Sequence, residues 1–192
     1  MRVGLTGGIG SGKSEVSRFL ESFGAYIIDT DILAREAVAP NSDGLREIAR
    51  AWPSVVRGGN LNRSALAEIV FTDADARDKL NAIVHPHVRR LAQDRERFAA
   101  PGQIVVHVVP LLFETGYDKQ CDATIVVVSP DEQRIARVVR RDRMTPQRVQ
   151  ARMAAQIDPH VARALATHVI DNDGQLTHLR ERTRLVFDSL NA

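Results

Sequence analysis

The chain has 192 residues, 44% hydrophobic and 26% charged, which suits one globular domain with a full core and excludes disordered and fibrous classes. The formal net charge is +2, so the overall balance carries no nucleic-acid footprint, although only 3 of the 26 basic residues are Lys. Cys121 is the only cysteine, which excludes an intrachain disulfide and a cysteine metal cluster; no apolar run nears the ~20 residues of a membrane span and no leader is read, so a cytoplasmic location is expected.

Arg2–Thr6 is a short apolar run bounded by glycine and reads as a buried strand. From Lys13 to Phe23, the residues Val16, Phe19, Leu20 and Phe23 recur at helical spacing, and Gly24 ends that helix. Tyr26–Asp29 reads as a second strand, and Asp31–Val38 as a helix stopped by Pro40. From Asn41 to Ala100 the pattern is helical, near 43–51, 62–71 and 73–98, with Pro53 and Gly58-Gly59 as breaks and no strand expected. Ile104–Val109 and Ala123–Val128 are further strand candidates. Pro130 introduces an Arg-rich helix through Arg141, and Thr145-Pro146 looks like the N-cap and first turn of another, to about Gln156. His168–Ile170 reads as a short fifth strand and Leu176–Leu190 as a last helix. Strands alternating with helices imply a parallel α/β sheet, and the long strandless stretch implies an inserted helical subdomain.

Gly7-Gly8-Ile9-Gly10-Ser11-Gly12-Lys13-Ser14 fits G-x-x-x-x-G-K-[ST] without a mismatch, between a strand and a helix. Glycines let the backbone turn its N–H groups around phosphate oxygens, and the helix adds its N-terminal donors and dipole. Lys13 is expected to reach the β- and γ-phosphates, and the Ser14 hydroxyl to help hold Mg²⁺.

No N-K-x-D or T-K-x-D guanine signature is present, and neither inner apolar run ends in a convincing acidic Walker B residue. What remains is a small kinase whose helical insertion holds the acceptor and whose Arg-rich lid closes over the phosphates. Asp29-Thr30-Asp31 follows the second strand, at the sheet edge where ligands of parallel sheets bind. Asp31 there is either a base for an acceptor hydroxyl or the cap of the next helix. Arg134, Arg137, Arg140, Arg141, Arg143, Arg148 and Arg152 either clamp phosphate or form a solvated helix face, with one or two reaching ATP.

Four stretches together resemble the dephospho-CoA kinase family, which completes coenzyme A synthesis: GLTGGIGSGKS, IIDTDILAREAV, LNAIVHPHV with VVPLLFETG, and RRDRMTPQRVQARMAAQ leading to VIDNDG. The resemblance spans nearly the whole chain. It implies an α/β, three-layer P-loop kinase fold: a five-stranded parallel sheet, an inserted helical substrate subdomain over about 31–100, and an Arg-rich lid over about 134–156. The implied reaction moves the ATP γ-phosphoryl group to the ribose 3′-hydroxyl of dephospho-CoA, in a chain expected to act as a monomer with no membrane or nucleic-acid partner. Asp31 is then implied as general base, with Lys13 and Arg141 stabilising charge on the transferring group. Gly8, Gly10, Ser11, Gly12, Lys13, Ser14 and Glu15 would hold ATP, with Asn172 near its adenine, and Asp31 and His85 would meet the acceptor. The resemblance also gives Mg²⁺ as cofactor, at Ser14.

Some residues keep two readings. His85-Pro86-His87 is either an acceptor-side element or a backbone-bonded helix feature. In PLLFE, Leu111, Leu112 and Phe113 are expected to pack, while Glu114 meets substrate or solvent. The chain departs from the family pattern at Val108, where many members carry Asp, and at Glu15, where threonine is usual. A threonine hydroxyl would bond the α-phosphate, whereas an ionised Glu15 would repel it. Two rival functions remain: a kinase for another small hydroxyl acceptor, and a non-catalytic nucleotide-sensing module.

Overall fold

The computed structural model describes residues 1–191. Its elements in chain order are β1 (Arg2–Thr6), α1 (Lys13–Ser22), β2 (Tyr26–Asp29), α2 (Thr30–Ala37), α3 (Asp43–Ala51), β3 (Val56–Arg57), β4 (Asn60–Leu61), α4 (Arg63–Thr72) and α5 (Ala74–Glu96). There follow β5 (Val105–Val108), β6 (Ala123–Val128), α6 (Asp131–Asp142), α7 (Pro146–Ala154), α8 (Pro159–Leu165), β7 (His168–Asp171) and α9 (Leu176–Leu190). The chain forms two compact units: Met1–Ile28 together with the chain from Ala99 on, and Asp29–Phe98.

The first unit is built on a five-stranded parallel sheet in the order β2-β5-β1-β6-β7. Its strands are almost wholly apolar, as strands covered on both faces must be. β1 lies at the centre, with Val3 opposite Val106 on β5 and Leu5 opposite Ile125 on β6. Val3, Leu5, Val106, Ile125 and Ile170 are fully buried, and Val16 and Leu20 of α1 and Leu179 and Phe187 of α9 pack into the same core. Because the strands run the same way, β1, β5, β6 and β7 end at one edge, where Gly7, Pro110, Ser129 and Asn172 respectively follow within two residues. Thr145 caps α7 through Arg148 N at 3.4 Å with Pro146 in the first turn, as its sequence predicts.

The second unit is a helical cluster whose four helices are each capped by the residue before them. Asp29, Ser42, Asn62 and Asp73 accept from backbone amides two or three residues on, opening α2, α3, α4 and α5. Arg95 on α5 donates from Nη2 to both carboxylate oxygens of Glu36 on α2, at 3.1 and 2.9 Å.

Three expectations are corrected. The stretch from 41 to 100 does contain strands: β3 and β4 pair antiparallel about Gly58-Gly59, both glycines at positive φ (56° and 74°), the geometry of a two-residue hairpin turn. α8 stands where no helix was expected, opened by Asp158 and Pro159. Leu111 is 43% exposed rather than packed, because the turn after β5 aims Leu112 and Phe113 inward and leaves Leu111 outside. Leu5→Ala is expected to lower unfolding stability by about 2–5 kcal/mol in a urea titration, since a fully buried central-strand side chain leaves a cavity.

Candidate active site

The P-loop joins β1 to α1, and each of its carbonyls from Gly7 to Gly12 is engaged. Lys13 Nζ donates to Gly7 O. Ser11 N donates to Gly8 O at 3.1 Å, and Arg134 Nε to Ile9 O at 3.0 Å. Arg137 Nη1 reaches Gly10 O at 3.3 Å, and Asn172 Nδ2 reaches Ser11 O at 2.7 Å. Gly12 O takes the first helical bonds, from Glu15 N at 3.0 Å and Val16 N at 3.2 Å. Carbonyls engaged in this way are what a loop that binds anions through its backbone amides requires.

The glycines are dictated by space as well as by conformation. Gly10 (φ 76°) and Gly12 (φ 101°) lie in the left-handed region. A Cβ on Gly10 would stand 2.6 Å from Arg134 O, one on Gly12 would strike the Asn172 amide, and one on Gly8 would strike the Arg134 guanidinium. A cleft of about 170 Å³ opens beside Gly10, Gly12, Lys13 and Ser14. Ser11 borders the same cleft, and its hydroxyl is buried with no hydrogen-bond partner among the described residues. An orphaned hydroxyl, a cradle that any Cβ would fill and a helix N-terminus fit a polyphosphate.

Of the seven arginines between 134 and 152, two turn inward. Arg134 is 4% exposed and also pairs with Asp131 at 2.9 Å; Arg137 further bonds Ser129 Oγ at 3.0 Å. Arg140, Arg143, Arg148 and Arg152 lie exposed. Arg141, also exposed, borders the cleft and forms a two-bond pair with Asp142, at 2.7 and 2.9 Å. That pair raises the arginine pKa and lowers the carboxyl's. Glu15 pairs with Arg18 one turn on, and both border the cleft, so its charge does not stand alone.

In the helical unit, Asp29 takes the capping role: its Oδ1 accepts from Asp31 N at 2.8 Å and Ile32 N at 3.3 Å. Asp31 lies exposed in the first turn of α2 and is not the cap. His85 is half-buried on α5, and burial, followed by the nearby Arg89 charge, holds its pKa below the ordinary value. His87 bonds Glu47 on α3 at 3.1 Å. Among the described residues no group of three or more His, Cys, Asp or Glu has the arrangement to hold a metal ion.

Several contacts escape sequence reasoning. Gln156 Oε1 accepts from Ile9 N at 2.8 Å, and Glu114 Oε1 accepts from Ile157 N at 3.1 Å. Arg134 and Arg137 belong to a seven-arginine run in which spacing does not single them out, since Arg137 and Arg140 are also three apart.

Comparison with known proteins gives a consistent result. The dephospho-CoA kinase family profile matches residues 1–178. A dephospho-CoA kinase of Streptomyces avermitilis is 45% identical over 192 residues, covering 99% of this chain and 94% of its own. One from Moorella thermoacetica is also 45% identical, over 98% and 91% of the two chains. A crystal structure from Thermus thermophilus superposes with TM-score 0.88 at 39% identity, covering 99% of this chain and 97% of its own. A shikimate kinase from Acinetobacter baumannii shares the fold alone, at TM-score 0.55 and 15% identity over 98% and 92% of the chains.

Two predictions follow from the geometry. Asn172→Ala leaves the buried Ser11 carbonyl without its donor; chemical unfolding should show a loss of about 1–3 kcal/mol, with weaker ATP binding by calorimetry. Asn172→Asp sets an acceptor against that carbonyl and should be worse. For His85, the folded pKa lies below 6.5, so the unfolded state binds more protons between the two values. Stability should therefore fall as pH drops below about 6.5, and less so in His85→Asn, measured by thermal melts across pH.

Proposed function

The chain belongs to the dephospho-CoA kinase family, and from that premise we propose that it transfers the ATP γ-phosphoryl group to the ribose 3′-hydroxyl of dephospho-CoA, completing coenzyme A synthesis. The observation that carries this reading is the P-loop whose every carbonyl is tied away from the anion cradle, backed by two buried or half-buried guanidinium groups.

In this reading Gly8, Gly10, Ser11, Gly12 and Lys13 hold the ATP phosphates, and Lys13 leaves the Gly7 carbonyl for them when nucleotide binds. When bound, Mg²⁺ would be held with the help of the Ser14 hydroxyl and would supply charge neutralisation of the phosphates. Asp31 takes the proton of the acceptor hydroxyl as its oxygen bonds phosphorus and the bond to the β-phosphate oxygen breaks, releasing ADP. Its exposed position, with Asp29 in the capping role, supports that assignment. Arg141 stabilises the transferring group from the lid, about 134–156, and Asn172 lies at the adenine end. The helical unit, with His85, takes the CoA portion. Action as a cytoplasmic monomer belongs to the same reading.

A coupled ADP assay is expected to show turnover with dephospho-CoA and none with shikimate or gluconate in its place; the reverse pattern points to the rival kinase, and ATP binding without any turnover to a sensing module. Asp31→Asn should lower kcat by a factor of roughly 100 or more while ATP affinity is unchanged. Near-full activity in that variant removes Asp31 from the role of base.

A further inference from the structure

Ile9 sits at the apex of the P-loop, and both sides of its backbone are held by side chains more than a hundred residues away. Arg134 Nε donates to its carbonyl at 3.0 Å, and Gln156 Oε1 accepts from its amide at 2.8 Å. The two side chains converge: a Cβ on Gly8 would meet the Arg134 guanidinium and, at 3.3 Å, Gln156 Oε1. Gln156 and Arg134 border a small cavity, about 30 Å³, on the side of the loop that also carries Pro110 and Glu114. Neither Ile9 nor Gln156 borders the cleft with Lys13 and Ser14. Gly8 and Ser11 border both the cavity and the cleft, so the glutamine holds the apex from beside the phosphate cleft rather than from within it.

Gln156 lies two residues beyond the end of α7, and the next residue, Ile157, is itself bonded to Glu114 after β5. The segment leaving α7 is thus fastened at two points, to the loop apex and to the turn after β5. We propose that Gln156 is a positioning residue for nucleotide binding: its acceptor oxygen orders the loop apex before ATP arrives and makes the order of α7 and of the loop one property. This rests on the P-loop reading above. An acceptor, not merely a side chain of that size, is what the Ile9 amide requires.

The test compares Gln156→Met, which keeps length and loses the acceptor, with Gln156→Glu, which keeps an acceptor oxygen. In ligand-free protein, Gln156→Met should speed hydrogen exchange at Ile9 and across 146–157 together, with exchange in the central strands unchanged. Its ATP KM should rise roughly three- to tenfold, with kcat and the dephospho-CoA KM unchanged. Gln156→Glu should keep the exchange pattern of the parent chain. Unchanged exchange in Gln156→Met, loss confined to kcat, or a Gln156→Glu variant matching the methionine one overturns the proposal. Exchange needs no acceptor substrate, so a chain that shows the predicted exchange yet fails to phosphorylate dephospho-CoA keeps the clamp and loses the activity reading.

Discussion

A loop that binds a polyanion through backbone amides must orient several peptide dipoles alike, and parallel dipoles repel. The arrangement persists only if the carbonyl end of each peptide finds a donor elsewhere. Here those donors are Lys13 within the motif, Arg134 and Arg137 from α6, and Asn172 from the end of β7. The sheet makes this possible, because β1, β6 and β7 lie side by side and end at one edge. α6 then starts beside the loop, and two arginines three residues apart face it together. Each guanidinium does two things: it satisfies a carbonyl, and it adds positive potential behind the amides that face phosphate.

That constraint explains what the sequence shows and what it hides. The motif itself is local, a strand, a glycine run and a helix, and it reads directly from Gly7 to Ser14. α9 reads equally well, because Leu179, Val186, Phe187 and Leu190 repeat with helical period against the core. The clamp is not local: its contacts span 125 residues for Arg134, 147 for Gln156 and 161 for Asn172. No window of periodicity reports pairings at that separation. The short hairpin of β3 and β4 is lost for the opposite reason, being two residues a side and shorter than any alternation can reveal.

Asp29 and Asp31 show how a helix boundary shifted by two residues decides a role. If the helix began after Asp31, that carboxylate would be its cap. It begins at Thr30, so Asp29 has the non-helical backbone of a cap and takes the Asp31 and Ile32 amides. Of the two sequence readings of Asp31, the cap belongs to Asp29 instead.

Glu15 extends the same reasoning to the cleft. In the first turn of α1 its negative charge is favourable to the helix, but it stands where an incoming phosphate would be opposed. Arg18, one turn on, holds it, and with Lys13, Arg137 and Arg141 also bordering the cleft the basic groups outnumber it even after Asp142 is set against Arg141. The Glu15–Arg18 pair joins a partly buried carboxylate to an exposed guanidinium and adds little to stability. Its consequence is local electrostatics: the hydroxyl that threonine would offer is missing, yet the potential that draws phosphate into the loop keeps its sign. A carboxylate is tolerable at that position because the loop binds through its backbone, and the backbone is held from behind by groups that Glu15 does not touch.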